Sequence, residues 1–194
     1  MLILLKGCID MCDLKKEEKI IIENKVNELI KDIKYDKVPY VDIVSIVEKD
    51  GFTVETHEMD IETTGCLFVD ETPNVVPKRI IWVNKAFKNP DNEEDVVFKK
   101  SRFITAHEYG HFKLHHSMRA HRDTYHRTEQ NELEADYFAR SILMPLQYFN
   151  ACYKLLKEFS NGDELYTVDM LSRFFRVTRN KVKMRIKDLG ELLV

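Results

Sequence analysis

The sequence predicts an α+β fold that is mainly helical and contains a small antiparallel sheet of three strands. Most of the chain repeats its apolar residues at helical spacing, whereas three short runs rich in β-branched and aromatic residues follow one another between residues 52 and 84. In addition, 44% of the 194 residues are hydrophobic, which is enough for one principal core. We expect a principal domain over residues 1–160 and a small helical subdomain over residues 161–194.

Two amphipathic helices begin the predicted fold. The first covers about residues 14–34, and its apolar stripe consists of Ile22, Val26, Leu29, Ile30 and Ile33. A shorter helix is expected between Pro39 and Gly51, with Asp42 in its first turn, where a carboxylate interacts favourably with the helix dipole. The predicted strands that follow are Phe52–Thr56, Cys66–Val69 and Arg79–Asn84. Three such runs in succession predict a small antiparallel sheet.

Charge, cysteine content and hydropathy exclude several classes of protein. The net charge of −3 gives no overall nucleic-acid signature, so any basic surface must be local. The four cysteines lack zinc-ribbon spacing and indicate free thiols; they are Cys8, Cys12, Cys66 and Cys152. The apolar run Leu2–Leu5 is too short for a signal peptide or a membrane span, and we expect a cytoplasmic protein with no membrane partner.

A long helix is predicted from about residue 94 to residue 115, and it contains His-Glu-Tyr-Gly-His at residues 107–111. Residues four apart share one helical face, so the imidazoles of His107 and His111 can reach one metal ion. Zn²⁺ accepts imidazole nitrogen, and catalytic zinc sites combine three protein ligands with a water molecule. Glu108 lies beside the first histidine and is the candidate general base of a metalloprotease.

The same motif can occur by chance on an exposed helix, so its surroundings decide between the two interpretations. The apolar flanking residues are Phe103, Ile104, Ala106, Phe112 and Leu114. They predict a buried helix, in which histidine and glutamate side chains need partners. Gly110 costs about 1 kcal/mol relative to alanine inside a helix, which indicates that something packs closely against it. Both observations favour the metal site.

A second acidic helix, predicted over about residues 132–145, supplies the rest of the site. Glu132 and Asp136 are four apart and share a face, whereas Glu134 is turned by about 200°. We assign Glu132 as the third metal ligand and Asp136 as the acceptor of the outer ring N–H of a metal-bound histidine. Glu134 is the alternative ligand, and a solvated acidic helix start is the alternative to the whole assignment.

The motif at residues 107–111, followed by Glu-Leu-Glu-Ala-Asp-Tyr-Phe-Ala and then Leu-Met-Pro at residues 143–145, resembles the ImmA/IrrE family of zinc metallopeptidases. The resemblance covers about residues 40–146. It implies a gluzincin-like, zincin-like core and a cytosolic endopeptidase, whose target is typically a helix-turn-helix repressor of a phage, a mobile element or a stress response. The site residues it implies are the zinc ligands His107, His111 and Glu132, and the catalytic Glu108.

The C-terminal segment has helix-turn-helix spacing. Two short apolar stripes, from Val168 to Phe175 and from Val182 to Leu189, are separated by a turn, and Gly190 is the expected end of the second helix. The basic residues of this segment are Arg173, Arg176, Arg179, Lys181, Lys183, Arg185 and Lys187. Three interpretations stay open: DNA binding in a major groove, docking of a protein substrate, or a cover over the core with a solvated charged face.

The expected function is therefore that of a zinc endopeptidase, in which Glu108 takes a proton from water and passes it to the leaving amine. Tyr109, Tyr137 and His115 are candidates for stabilising the oxyanion. The alternative is a non-proteolytic regulator that binds a repressor or DNA through the basic C-terminal helices, with a structural metal. A further hypothesis is that Cys66 reaches the metal and holds the enzyme inactive.

Overall fold

The structure is a computed structural model that describes residues 13–32, 40–60, 62–73, 76–85, 94–115 and 128–192. Its elements in chain order are α1 (Lys16–Ile30), α2 (Ile43–Lys49), β1 (Phe52–His57), β2 (Gly65–Asp70), β3 (Lys78–Asn84), α3 (Glu94–Lys113), α4 (Glu129–Leu143), α5 (Leu146–Phe159), α6 (Glu164–Phe174) and α7 (Arg179–Leu192). The predicted α+β, mainly helical fold is confirmed. Among the described helices, none combines the length and the apolar character that crossing a bilayer requires.

The sheet is mixed, so the prediction of an antiparallel sheet is wrong. β3 lies in the centre and pairs in parallel with β1 and antiparallel with β2. Burial explains the central position of β3, because Ile80, Ile81, Val83 and Asn84 are all buried, whereas β1 and β2 each contain one buried residue. The most buried strand therefore lies between the two strands that are neighbours in sequence.

α3 and α4 pack against each other, and α3 also packs against the sheet. Gly110 allows the two helices to approach, because a Cβ atom at this position would lie 2.9 Å from Cδ1 of Phe138 and 3.3 Å from the carbonyl oxygen of Ala135. The close contact that the sequence predicted at Gly110 is thus confirmed. It brings the two motif-bearing helices side by side.

α6 and α7 form the predicted pair of C-terminal helices, and α7 contacts both α1 and α4. The second helix runs past Gly190 to Leu192, so the predicted end at Gly190 is wrong. Its last turn is held by Leu189, which is buried, and by Glu191, whose carboxylate pairs with Lys19 of α1. The division of the chain after residue 160 stays a prediction.

Candidate metal centre

Three side chains from α3 and α4 converge where these helices meet. α3 supplies His107 and His111, and α4 supplies Glu132. His107 Nε2 lies 3.1 Å from His111 Nε2 and 3.1 Å from Glu132 Oε2, and His111 Nε2 lies 3.4 Å from Glu132 Oε1. The side chain of His111 is fully buried, whereas those of His107 and Glu132 are 15% and 39% exposed, so the cluster is accessible from one side.

These distances suit a single zinc ion. Ligand atoms that are each about 2.0–2.2 Å from a tetrahedral ion lie about 3.3–3.6 Å from one another, close to the spacings found here. Two imidazole nitrogens 3.1 Å apart, as in His107 and His111, must share a proton or face a common cation, because two lone pairs at this distance repel each other. Two histidines and a glutamate also form a known catalytic zinc set, which leaves a fourth position for water. The three residues therefore fit the ion.

Glu108 follows His107 on α3 and is only 1% exposed. Its side chain lies close to the start of β2, since a Cβ atom at Gly65 would come 3.4 Å from Glu108 Cγ. Glu108 does not belong to the cluster of three ligand residues found among the described residues. Its charge acts on His107, and its role as general base stays a prediction.

The surroundings of His107 favour a positive charge. Burial alone would lower the pKa of His107, but its interactions with Asp136 and Glu132 and the charge of Glu108 raise that pKa to about 9. His107 therefore holds a proton at neutral pH when no metal is bound. A metal ion must displace this proton on binding.

Asp136 lies one turn after Glu132 on α4, behind His107. Its Oδ1 atom is 3.6 Å from Nδ1 of His107, on the side of the ring away from the other ligands. Arg140 donates to Asp136 at 3.0 Å, and Lys181 of α7 donates at 2.9 Å. Burial raises the pKa of Asp136, but the interaction with His107 and the two cations lower it to about 2, so the carboxylate is ionised at neutral pH. Asp136 thus lies beside the outer nitrogen of His107, and its role as acceptor of that N–H group stays a prediction.

The model of the peptidase M78 family, described as the IrrE N-terminal-like domain, matches residues 50–187. The chain belongs to this family. The resemblance to the ImmA/IrrE family is thereby confirmed, and membership gives the protein a metallopeptidase-type function. No curated protein matches the chain. All residues of the cluster in this M78 peptidase lie within the matched region, as does most of α7.

Other candidates from the sequence lie away from the cluster of this M78 peptidase. The hydroxyl of Tyr109 donates to Asp50, and that of Tyr137 donates to Glu23, so both hydroxyls are engaged elsewhere. His115 is exposed and has a positive φ of 57° just after the end of α3. The assignment of an oxyanion stabiliser among these three residues stays a prediction.

Glu134 and Cys66 also lie outside the cluster formed by the described residues. Glu134 accepts a hydrogen bond from Gln130, one turn earlier on α4. A Cβ atom at Gly65 would clash with Ile104 of α3, so this position of β2 faces α3. Cys66 is the next residue of the strand, and successive side chains point to opposite faces, so Cys66 faces away from α3. The geometry gives no support to a zinc-bound Cys66.

Sequence reasoning missed the two cations that hold Asp136. Arg140 could have been found, because residues four apart on a helix commonly pair opposite charges. Lys181 left no such signal, because its contact with Asp136 spans 45 residues of sequence and depends on how α7 packs.

Proposed function

We propose that this M78 peptidase is a zinc-dependent endopeptidase that hydrolyses a peptide bond in one specific protein. We further propose that this target is a helix-turn-helix transcriptional repressor of a phage, a mobile element or a stress response, met in the cytoplasm. The observation that carries the proposal is the near-tetrahedral spacing of His107, His111 and Glu132 beside the buried Glu108. The identity of the target class follows from the family resemblance alone.

In this proposal His107, His111 and Glu132 hold the ion, which when bound lowers the pKa of water and polarises the scissile carbonyl. Glu108 positions the attacking water through a hydrogen bond and accepts its proton as the oxygen adds to the carbonyl carbon. Glu108 then donates that proton to the amine nitrogen as the C–N bond breaks. Asp136 Oδ1, 3.6 Å from Nδ1 of His107, attracts that side of the ring electrostatically, so that Nε2 stays directed into the cluster.

The distribution of charge favours this function over a regulator that binds DNA through its basic helices. Arg185 is completely buried and pairs with Glu23, so it cannot contact a phosphate. Within α6 and α7, the other basic residues described as pairing with carboxylates are Arg173, Arg179, Lys181 and Lys187. Arg185 and Lys181 are therefore withdrawn from phosphate contacts, whereas Arg173, Arg179 and Lys187 stay 64–69% exposed in surface ion pairs. DNA binding stays a prediction that a duplex-binding assay at low salt can test.

The Glu108→Gln variant tests the catalytic assignment. It removes the base and keeps the shape of the side chain, so we expect unchanged zinc content by atomic absorption. Cleavage of the target should slow by about 10²–10⁴-fold, the usual contribution of a general base. His111→Ala should lose both zinc and cleavage. Glu134→Gln is the matched control, because it makes the same change on α4 outside the cluster, and it should cleave like the wild type.

The substrate for this assay is sought by screening small helix-turn-helix repressors that are encoded beside the gene. Each candidate is co-expressed and then incubated as a purified protein, with and without a chelator. Cleavage by Glu108→Gln at the wild-type rate would contradict the mechanism. A repressor that binds the zinc-loaded protein tightly and is never cut would instead favour the non-proteolytic regulator.

A further inference from the structure

The C-terminal helix α7 reaches the metal centre through Lys181. Its Nζ atom lies 2.9 Å and 3.1 Å from the two carboxylate oxygens of Asp136. The side chain extends over the ring of Phe103 on α3, with Nζ 3.8 Å from the ring centroid, and only 21% of the side chain is exposed. These contacts fix the ammonium group between α3 and α4.

Asp136 in turn faces the outer nitrogen of His107. Asp136 Oδ1 lies 3.6 Å from Nδ1, while Nε2 of the same ring faces His111 and Glu132. A histidine that binds a metal through one nitrogen is oriented by the acceptor of its other N–H group. A continuous series of contacts therefore leads from Lys181 through Asp136 to the ligand cluster.

A second connection leads from α7 to the same carboxylate. Arg140 donates from Nη1 to Asp136 at 3.0 Å, and from Nε to Asp188 of α7 at 2.9 Å. Arg140 and Asp188 are both buried. Helix α7 therefore holds Asp136 directly through Lys181 and indirectly through Arg140.

The distribution of charge explains why a cation is needed at this position. Asp136, Glu132 and Glu108 surround His107 with three carboxylates, which repel one another. Lys181 offsets this repulsion from the side away from the ligand cluster and contacts both oxygens of Asp136. Without Lys181, the Asp136 carboxylate would be free to turn towards Arg140 and away from the histidine ring.

We propose that Lys181 is a positioning residue of the metal centre, which acts through Asp136 to hold His107 in the orientation that binds metal. The C-terminal helix thereby completes the site from outside the two peptidase motifs. This inference rests on the proposed zinc site and adds a residue to it.

The test measures the zinc affinity of the full-length protein by competition with a chromophoric chelator. Lys181→Met keeps the apolar stem over Phe103 and removes the charge, so zinc binding should weaken by about 10–100-fold, as for other groups that orient a metal ligand. Lys181→Arg keeps a cation near Asp136 and should bind zinc more like the wild type than Lys181→Met does. Lys183→Met makes the same change on the exposed side of α7 and should leave zinc affinity unchanged.

A double-mutant cycle distinguishes positioning from a general loss of structure. If Lys181 acts through Asp136, Lys181→Met should cause little further loss of zinc affinity in an Asp136→Asn background. Equal losses in both backgrounds would overturn the inference. Lys181→Gln, which also lacks the charge, is measured in parallel, so that the comparison does not depend on the folding of one variant.

The result also separates this inference from the proposed function. If the wild type binds zinc and both Lys181→Met and Lys181→Gln bind it equally well, the positioning role is wrong and the zinc site stands. If the wild type binds no zinc, the proposed function fails and the inference fails with it.

Discussion

At the scale of single residues, Gly110 links helix packing to the geometry of the metal centre. A glycine inside a helix costs about 1 kcal/mol relative to alanine. In return, α4 approaches so closely that a Cβ atom at Gly110 would lie 2.9 Å from Cδ1 of Phe138. Because His111 follows Gly110 on α3 and Glu132 lies on α4, the separation of these helices sets the separation of the ligands.

Gly110→Ala should therefore destabilise the protein although alanine is the better helix former. The added methyl group meets both the ring of Phe138 and the carbonyl oxygen of Ala135, and backbone cannot move aside as easily as a flexible side chain. We expect the free energy of unfolding to fall by about 1–3 kcal/mol in urea titrations, as in other overpacked cores. Zinc affinity should fall with it, because α4 carries Glu132.

Gly190→Ala is the matched control for this prediction. It makes the same substitution in α7, where a Cβ atom would meet nothing within 4 Å. The free energy of unfolding should rise by up to about 1 kcal/mol, because alanine favours the helix. If Gly110→Ala gained stability in the same way, the close contact between α3 and α4 would be wrong.

The arrangement of the site residues was predictable where it depends on helical spacing. A separation of four residues placed His107 with His111 and Glu132 with Asp136, and each pair shares a face in the structure. The role of Lys181 was not predictable, because a lysine that folds back onto a carboxylate and a lysine in solvent have the same sequence pattern.

At the scale of helices and strands, a buried ion pair joins α1 to α7. Arg185 Nη1 donates to Glu23 at 2.6 Å, and its Nε donates to the carbonyl oxygen of Met144 at 3.0 Å. The hydroxyls of Tyr137 and Ser141 also donate to Glu23. Breaking such a pair is costly, because the remaining charge stays buried without its counter-ion.

Glu23→Gln should lower the free energy of unfolding by about 3–5 kcal/mol at pH 7, measured by urea titration. The effect should depend on pH. Burial raises the pKa of Glu23, but Arg185 and the hydroxyl donors lower it below its usual 4.5. Stabilisation by the carboxylate is thus present above about pH 4.5 and is lost as the pH falls through the folded-state pKa. The difference between wild type and variant should shrink in acid.

Glu28→Gln provides the comparison on the same helix. Glu28 pairs with Lys31, but both side chains are more than half exposed, and such pairs contribute about 0–1 kcal/mol. We expect only a small change in the free energy of unfolding. Equal losses at Glu23 and Glu28 would mean that the ion pair with Arg185 does not hold α7.

The strands were predictable from composition, but their order was not. All three predicted runs form strands, and the error concerned the direction of pairing, because β1 runs parallel to β3. Local sequence shows that a segment is extended, whereas the pairing depends on which strand the helices bury most. The greater burial of Ile81 and its neighbours in β3 is the feature that could have indicated a central strand.

At the scale of the whole molecule, the C-terminal helices are tied to the rest of the chain by buried charges. Arg185 pairs with Glu23 of α1, and Asp188 pairs with Arg140 of α4. The sequence predicted the two helices and their basic character, but it could not show that Arg185 and Lys181 point inward while the other basic residues stay exposed. An arginine on an amphipathic helix can cover a core or face solvent, and only the packing of distant segments decides between them.

Deletion of residues 161–194 should therefore damage the peptidase core. The fragment 1–160 would retain Glu23 without Arg185 and Asp136 without Lys181, and it would expose the apolar surface that α7 covers. We expect a lower unfolding temperature by circular dichroism and weaker zinc binding than in the full chain, because Glu23 loses Arg185 and Asp136 keeps only Arg140 of its two cations.

The control is the full-length protein with its chain cut between α5 and α6, so that no residue is removed. A protease site inserted at the exposed turn of Asn161 and Gly162, where both residues have positive φ, allows the chain to be nicked after folding. The two pieces should stay associated and keep zinc, because the contacts across α1, α4 and α7 do not depend on that turn. If the fragment 1–160 instead unfolds at the wild-type temperature and binds zinc with wild-type affinity, the C-terminal helices form an independent unit. Neither the ion pair of Arg185 nor that of Lys181 would then contribute to the metal centre.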